Sequence, residues 1–227
     1  MFFDPMYFVF VAPALLLAFW AQMRIRSSYA AAAQQPAPLS GAATAQHILD
    51  SAGVTGVAIE EVPGHLSDHY DPREKVLRLS HDVYHSRSLA AVGIAAHEVG
   101  HALQDAHAYA PLVVRNAAVP LASIGSNASI FLLILGALFN FSSLIWLGIG
   151  AFACVVFFQV VNLPVEFNAS SRAKQELVNL GIIDQEGLHY VNKVLNAAAM
   201  TYVAATLQSI LTLLYYVMRF TGGSDRE

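Results

Sequence analysis

Four stretches of this chain, residues 5–23 (PMYFVFVAPALLLAFWAQM), 117–139, 145–163 (IWLGIGAFACVVFFQVVNL) and 197–218, contain no Asp, Glu, Lys or Arg. A helix of about 20 apolar residues crosses a hydrocarbon core of ~30 Å at ~1.5 Å per residue, so each run is long enough to span a bilayer. The rest of the composition agrees. Only 12% of the 227 residues are charged and 56% are hydrophobic, with a mean hydropathy of +0.50. Soluble domains carry about 25% charged residues, and a chain this size has no core large enough to hide the apolar excess. Lipid is therefore the expected solvent for these runs. The fourth run carries Thr201, Thr206, Gln208, Ser209 and Thr212, so an amphipathic helix packed on the others is its alternative reading.

The first run reads as a retained anchor. A cleaved signal peptide places positive charge before its apolar core, whereas here Arg24 and Arg26 follow it and residues 1–4 have no Lys or Arg. Four spans put segments 24–116 and 164–196 on one side of the membrane. That side holds Arg24, Arg26, Arg73, Lys75, Arg78, Arg87, Arg115, Arg172, Lys174 and Lys193; the other holds Arg219 and Arg226. The positive-inside bias makes the first side cytoplasmic and the protein a multi-pass protein of the cell membrane. Arg115, close to the second run, reads as a headgroup anchor. A net charge of −4 argues against a nucleic-acid partner, and the single cysteine, Cys154, can form no intrachain disulfide.

The expected organisation is a transmembrane anchor over 1–26, a cytoplasmic segment over 27–116, a transmembrane hairpin over 117–163, a second cytoplasmic segment over 164–196, and a transmembrane or membrane-packed helix with a short tail over 197–227. Within the first cytoplasmic segment, residues 27–40 read as a linker rich in Ala, Gln and Pro, and residues 40–52 as a short helix stopped by Gly53. Alternation at Val57 and Ile59, and again at Leu77 and Leu79, with a turn at DPRE, predicts a small antiparallel sheet of two or three strands. Residues 86–106 predict a helix. Pro164 opens another, which runs to Asn179 and stops at Gly181.

The helix over 86–106 contains AAHEVGHALQDAH. His97 and His101 stand four apart and so share one helical face, where two neutral imidazoles can hold one zinc ion. Glu98, beside the first of them, can act as general base on a water that the metal activates. The flanking residues are mostly small and uncharged, and three ionisable groups in such a helix are costly unless they are used.

A catalytic zinc takes three protein ligands and keeps one position open. Three candidates compete for the third ligand. His107 would suit the longer pattern HExxHxxGxxH, but Gln104 stands where that pattern needs a helix-breaking Gly. An aspartate in a later membrane span would suit an intramembrane protease, but the later aspartates, Asp184 and Asp225, lie in no apolar run. Glu166, in LPVEFNASSRAKQEL, follows the hairpin and returns to the membrane face of His97 and His101, and the topology favours it.

These residues resemble a family. SLAAVGIAAHEVGHALQ, followed two spans later by LPVEFNASSRA, together with HLSDHYDPREKVLRLS and AAAMTYVAA, is similar to the YugP-type neutral zinc metallopeptidases of bacterial membranes. More distantly it resembles the HtpX-like gluzincins, where a glutamate on a later helix completes HExxH. The resemblance runs from about residue 64 to residue 205. It implies a zinc-dependent hydrolase with His97, His101 and Glu166 as metal ligands and Glu98 as the catalytic glutamate. This chain departs from the YugP-type relatives in having Asn168 where they tend to carry Asp two residues after the glutamate, and from the HtpX-like enzymes in having Ser170 where they carry Asp four residues after it. A carboxylate there would orient a zinc histidine and raise its basicity, so the departures bear on zinc affinity.

The expected fold is thus a mostly α membrane protein of about four transmembrane helices with a small cytoplasmic α+β zincin-like domain. The expected function is a zinc metalloendopeptidase that cuts peptide or membrane-protein substrates at the cytoplasmic membrane face; a non-catalytic zinc-binding scaffold is the alternative. Tyr202, His189 and Arg172 are candidates to stabilise the oxyanion, Tyr202 first among them. An edge strand ahead of the metal helix could take up an extended peptide. His65, His69, His81 and His85 invite a second metal site, but in turns and at strand edges they read as surface histidines.

Overall fold

The computed structural model describes residues 4–65 and 67–221. It is mostly helical: α1 (Pro5–Ala33), α2 (Gly41–Ser51), α3 (His81–His85), α4 (Leu89–Ala106), α5 (Ala110–Leu138), α6 (Ser142–Asn179) and α7 (Gln185–Thr221), with one sheet of β1 (Ala58–Val62), β2 (His69–Asp71) and β3 (Val76–Ser80). Four helices, α1, α5, α6 and α7, are long and apolar enough to cross a membrane. Arg226, used in the charge count, and the tail beyond Thr221 lie outside the described residues.

The chain divides into two compact units. The first comprises residues 1–20, 114–163 and 201–227. Its helices pack through small residues, as expected where lipid removes any hydrophobic drive between them. A Cβ on Gly125 of α5 would lie 2.5 Å from Ala151 O of α6, and one on Gly148 of α6 would lie 2.9 Å from Leu133 Cγ of α5. Polar side chains tie the helices further: Thr206 Oγ1 donates to Gln159 O at 3.3 Å, and Tyr215 OH donates to Asp4 Oδ2 at 2.5 Å. Large apolar side chains such as Ile124, Phe131 and Leu147 point outward, which suits a hydrocarbon surround.

The second unit comprises residues 21–113 and 164–200. At its centre is α4, whose side chains are almost all buried. Ser88 caps its first turn, its hydroxyl accepting from Ala91 N at 3.3 Å. Alanine and glycine dominate its surface, so neighbouring helices approach closely. A Cβ on Gly93 would meet Val191 of α7 at 3.2 Å, and one on Gly100 would meet Ala169 O of α6 at 2.5 Å. Leu77 and Leu79 of β3 and Ile48 and Leu49 of α2 join α4 in the core. Ser40 caps α2 and Gly53, at φ +67°, ends it.

Four local expectations need correction. The sheet is mixed: its order is β1-β3-β2, with β1 parallel and β2 antiparallel to β3. The Pro63–Gly64 step, with Gly64 at φ +104°, turns the chain away from β1, so the DPRE hairpin lays β2 on the far side of β3 and leaves β1 the parallel edge. The helix expected from residue 86 is two helices, because Ser86 and Ser88 adopt extended backbone between α3 and α4. The linker expected over 27–40 is structured. Residues 27–33 continue α1, and residues 35–37 pair with the strand-like approach to α4, through Ala37 N to Arg87 O at 2.9 Å and Leu89 N to Gln35 O at 3.0 Å. Likewise Pro164 lies inside α6 instead of opening a helix. An internal proline forfeits a backbone hydrogen bond, yet long helices near lipid tolerate one where neighbouring groups satisfy the freed carbonyl.

Candidate metal centre

On α4, His97 and His101 lie one turn apart with ring centroids 4.9 Å from each other. Glu166 projects from α6 against both: its Oε2 is 3.4 Å from His97 Nε2 and its Oε1 3.8 Å from His101 Nε2. The three donor atoms lie within 4.8 Å of one another. Gly100 makes this approach possible, because it faces the backbone of Ala169, one turn beyond Glu166. All three side chains are at most 15% exposed.

The other ring nitrogens determine how the imidazoles present themselves. His97 Nδ1 lies 3.1 Å from Ser170 Oγ, and His101 Nδ1 lies 3.0 Å from Gln104 Oε1. Gln104 is fully buried. Its amide nitrogen donates to Val165 O at 2.8 Å and to Asn168 Oδ1 at 3.0 Å. Both contacts are acceptors, so the oxygen of Gln104 must face His101, and His101 must carry its proton on Nδ1. Asn168 Oδ1 also accepts from Arg172 Nε at 2.8 Å, and the Arg172 guanidinium lies over the Tyr109 ring. Donation thus runs from His101 Nδ1 to Gln104 and from Gln104 to Asn168, whose Oδ1 also takes the Arg172 hydrogen bond, and the Nε2 lone pair of His101 is left facing Glu166. Two imidazole nitrogens and one carboxylate, converging within 4.8 Å of one another, are the donor set of a divalent zinc site.

The electrostatics fit a cation. Burial pulls His97 toward the neutral form, but the hydrogen bond to Glu166 and the charges of Glu98 and Glu166 outweigh it, so its pKa lies above the usual value. Burial pushes the Glu98 carboxyl up to about 7, with Glu166 and Asp68 adding to the rise and His97 and the Tyr70 backbone N–H opposing it. A divalent ion at the three donors would neutralise this excess of negative charge and draw both values down.

The sheet is tied to the metal helix beyond Glu98. Tyr70, in edge strand β2, donates through its OH to Asp105 Oδ2 at 2.7 Å, and Lys75 pairs with the same oxygen. The strand and the metal helix are therefore fastened together at Asp105.

The remaining candidates fall elsewhere. His107 is the C-cap of α4, and its Nδ1 donates back to Leu103 O at 2.7 Å, so it serves its own helix end. Asp184 caps α7, accepting from Gly187 N at 2.8 Å. Arg172 is engaged with Asn168 and Tyr109, and His189 is exposed. Asn168 does not contact a histidine of the centre; that contact falls to Gln104 and Ser170. Gln104 was discernible from spacing alone, since position i+3 from His101 lies on the same helical face. The role of Tyr70 had no such local signal.

Comparison with known proteins gives the same picture. Residues 7–221 match the family described as "Putative neutral zinc metallopeptidase". The chain is 47% identical over 225 residues to the "Putative membrane protease YugP" of Bacillus subtilis (strain 168), covering 98% of this chain and 100% of that protein. No solved structure matches it.

Proposed function

The chain belongs to the neutral zinc metallopeptidase family, whose cofactor is Zn2+, and we propose that it is a membrane-embedded zinc endopeptidase acting on peptide or membrane-protein substrates at the cytoplasmic membrane face. In this reading His97, His101 and Glu166 hold the ion and Glu98 is the general base. The observation that carries it is the convergence of His97 Nε2, His101 Nε2 and a Glu166 carboxylate, with both Nδ1 atoms engaged elsewhere. Among the described residues this cluster numbers three donors. A structural zinc usually takes four protein ligands, so the count favours catalysis over the scaffold alternative.

Zinc, when bound, supplies Lewis acidity at the scissile carbonyl and lowers the pKa of the attacking water. Glu98 takes the proton from that water and passes it to the departing amine. Gln104 holds the tautomer of His101, and Ser170 holds the orientation of the His97 ring. Because β2 is an edge strand fastened to the metal helix through Tyr70 and Asp105, a peptide adding to that edge would run alongside the helix that carries the base. Nine basic residues fall within the unit that carries the centre, Arg24, Arg26, Arg73, Lys75, Arg78, Arg87, Arg172, Lys174 and Lys193. That bias supports a cytoplasmic active site and a multi-pass topology for the four apolar helices.

The decisive experiment pairs a peptide-library cleavage assay with metal analysis. Glu98→Gln should keep zinc and lose cleavage, and persistent cleavage would overturn the assignment. Glu166→Ala should lose zinc while His107→Ala keeps it. Full zinc occupancy in the Glu166 variant would refute the ligand set.

A further inference from the structure

Away from this centre the chain carries a second group of the same make-up. His81 and His85 stand one turn apart on α3, with ring centroids 4.9 Å apart, the same separation as between His97 and His101. Glu61 of β1 reaches both: His81 Nδ1 lies 2.6 Å from its Oε1 and His85 Nε2 lies 2.9 Å from its Oε2. The three donor atoms lie within 4.8 Å of one another. The sheet register explains the meeting. Glu61 is paired with Leu79, and β3 passes directly from Ser80 into α3, so the carboxylate arrives beside the first turn of that helix.

What distinguishes the two groups is burial. The side chains of His81, His85 and Glu61 are 70%, 55% and 41% exposed. In water, a carboxylate set between two imidazoles gains little as an ion pair, so stability alone does not account for three side chains held in this arrangement. Two imidazoles and one carboxylate on one face do, however, make a donor set for divalent first-row metals.

We propose that Glu61, His81 and His85 form a second, solvent-accessible site for a divalent transition-metal ion, with zinc as its occupant. Three side chains supply part of the coordination and water supplies the rest, so the ion exchanges readily. Its affinity is lower than that of the buried centre, because exposed side chains must be immobilised on binding and solvent competes for the metal. When filled, the site clasps β1 to α3, the turn through which the sheet hands the chain on to α4. Nothing in this proposal depends on peptide hydrolysis.

The test uses the full chain in detergent, stripped of metal and titrated with zinc alone, with stoichiometry read by calorimetry and elemental analysis. Wild type should take up two equivalents, one tight and one weaker. His81→Ala and Glu61→Gln should each abolish the weaker equivalent and keep the tight one. His97→Ala should do the reverse, which separates failure of this site from failure of the buried one. Both outer variants change exposed side chains, and retention of the tight equivalent itself reports that they are folded. A wild type that binds one equivalent only, or a weaker equivalent that survives in both His81→Ala and Glu61→Gln, would overturn the proposal.

Discussion

Replacing Gly100 by alanine should weaken zinc binding without unfolding the protein. The added Cβ would sit 2.5 Å from Ala169 O, 3.0 Å from its carbonyl carbon and 3.1 Å from its Cα. Ordinary contact begins at 3.4 Å, so α4 and α6 must separate locally by about 0.9 Å, and the obstruction is backbone with no side chain to swing aside. Overpacking of this kind costs about 1–3 kcal/mol. Alanine recovers up to ~1 kcal/mol of helix propensity over glycine, so the net loss of stability is about 0–2 kcal/mol. The metal centre feels the shift more sharply, because Glu166 and Ser170 ride on α6 while both histidines ride on α4. Displacing a ligand helix by most of an ångström should lower zinc affinity about 10–100-fold. Competition against a chromophoric chelator measures the affinity, and thermal unfolding in detergent measures the stability. Gly150→Ala is the control: a Cβ there meets nothing within 4 Å, and zinc affinity should not change. If Gly100→Ala binds zinc within about twofold of wild type, the close approach of α6 is not what assembles the centre.

Other substitutions probe the groups behind the ligands. Gln104→Leu removes the acceptor for His101 Nδ1 and the donor to Val165 O and Asn168; zinc affinity should fall about 10–100-fold with a stability loss of about 1–3 kcal/mol, read by the same two assays. Ser170→Asp places a carboxylate beside His97 Nδ1 and should tighten zinc binding, whereas Ser170→Ala should loosen it; chelator competition separates them. Tyr70→Phe removes the hydroxyl that donates to Asp105 and should cost about 1 kcal/mol of stability with zinc stoichiometry unchanged, since neither group is among the three metal donors.

Much of this architecture can be read locally. The four uncharged runs are each long enough to span hydrocarbon, and four long apolar helices contain them. The i, i+4 spacing of His97 and His101 requires only that residues 97–101 be helical, which an alanine-rich sequence capped by Ser88 ensures. Glu166 could be selected among candidates because the hairpin of residues 117–163 limits where the chain can return. Where the reading erred, the deciding contacts were remote. Nothing near β1 reveals that it pairs in parallel with β3, because the choice rests on the turn at Gly64 and on which edge the hairpin leaves free. Residues 27–33 look like linker by composition, yet α1 continues through them, with Ala32 buried in the core.

The amino-acid sequence by itself determined the solvent of the helices, the spacing of the two histidines with their glutamate, and the small residues that line α4, since each depends on neighbours within a few positions. Only the tertiary structure decided that Ser170 stands behind His97, that Val165 and Asn168 orient the Gln104 amide, that Tyr70 reaches Asp105, and that Glu61 meets His81 and His85. Those contacts join segments up to 73 residues apart. Their partners are selected by how closely backbones can approach, as at Gly100, and by the need of each buried polar group to find a hydrogen-bond partner.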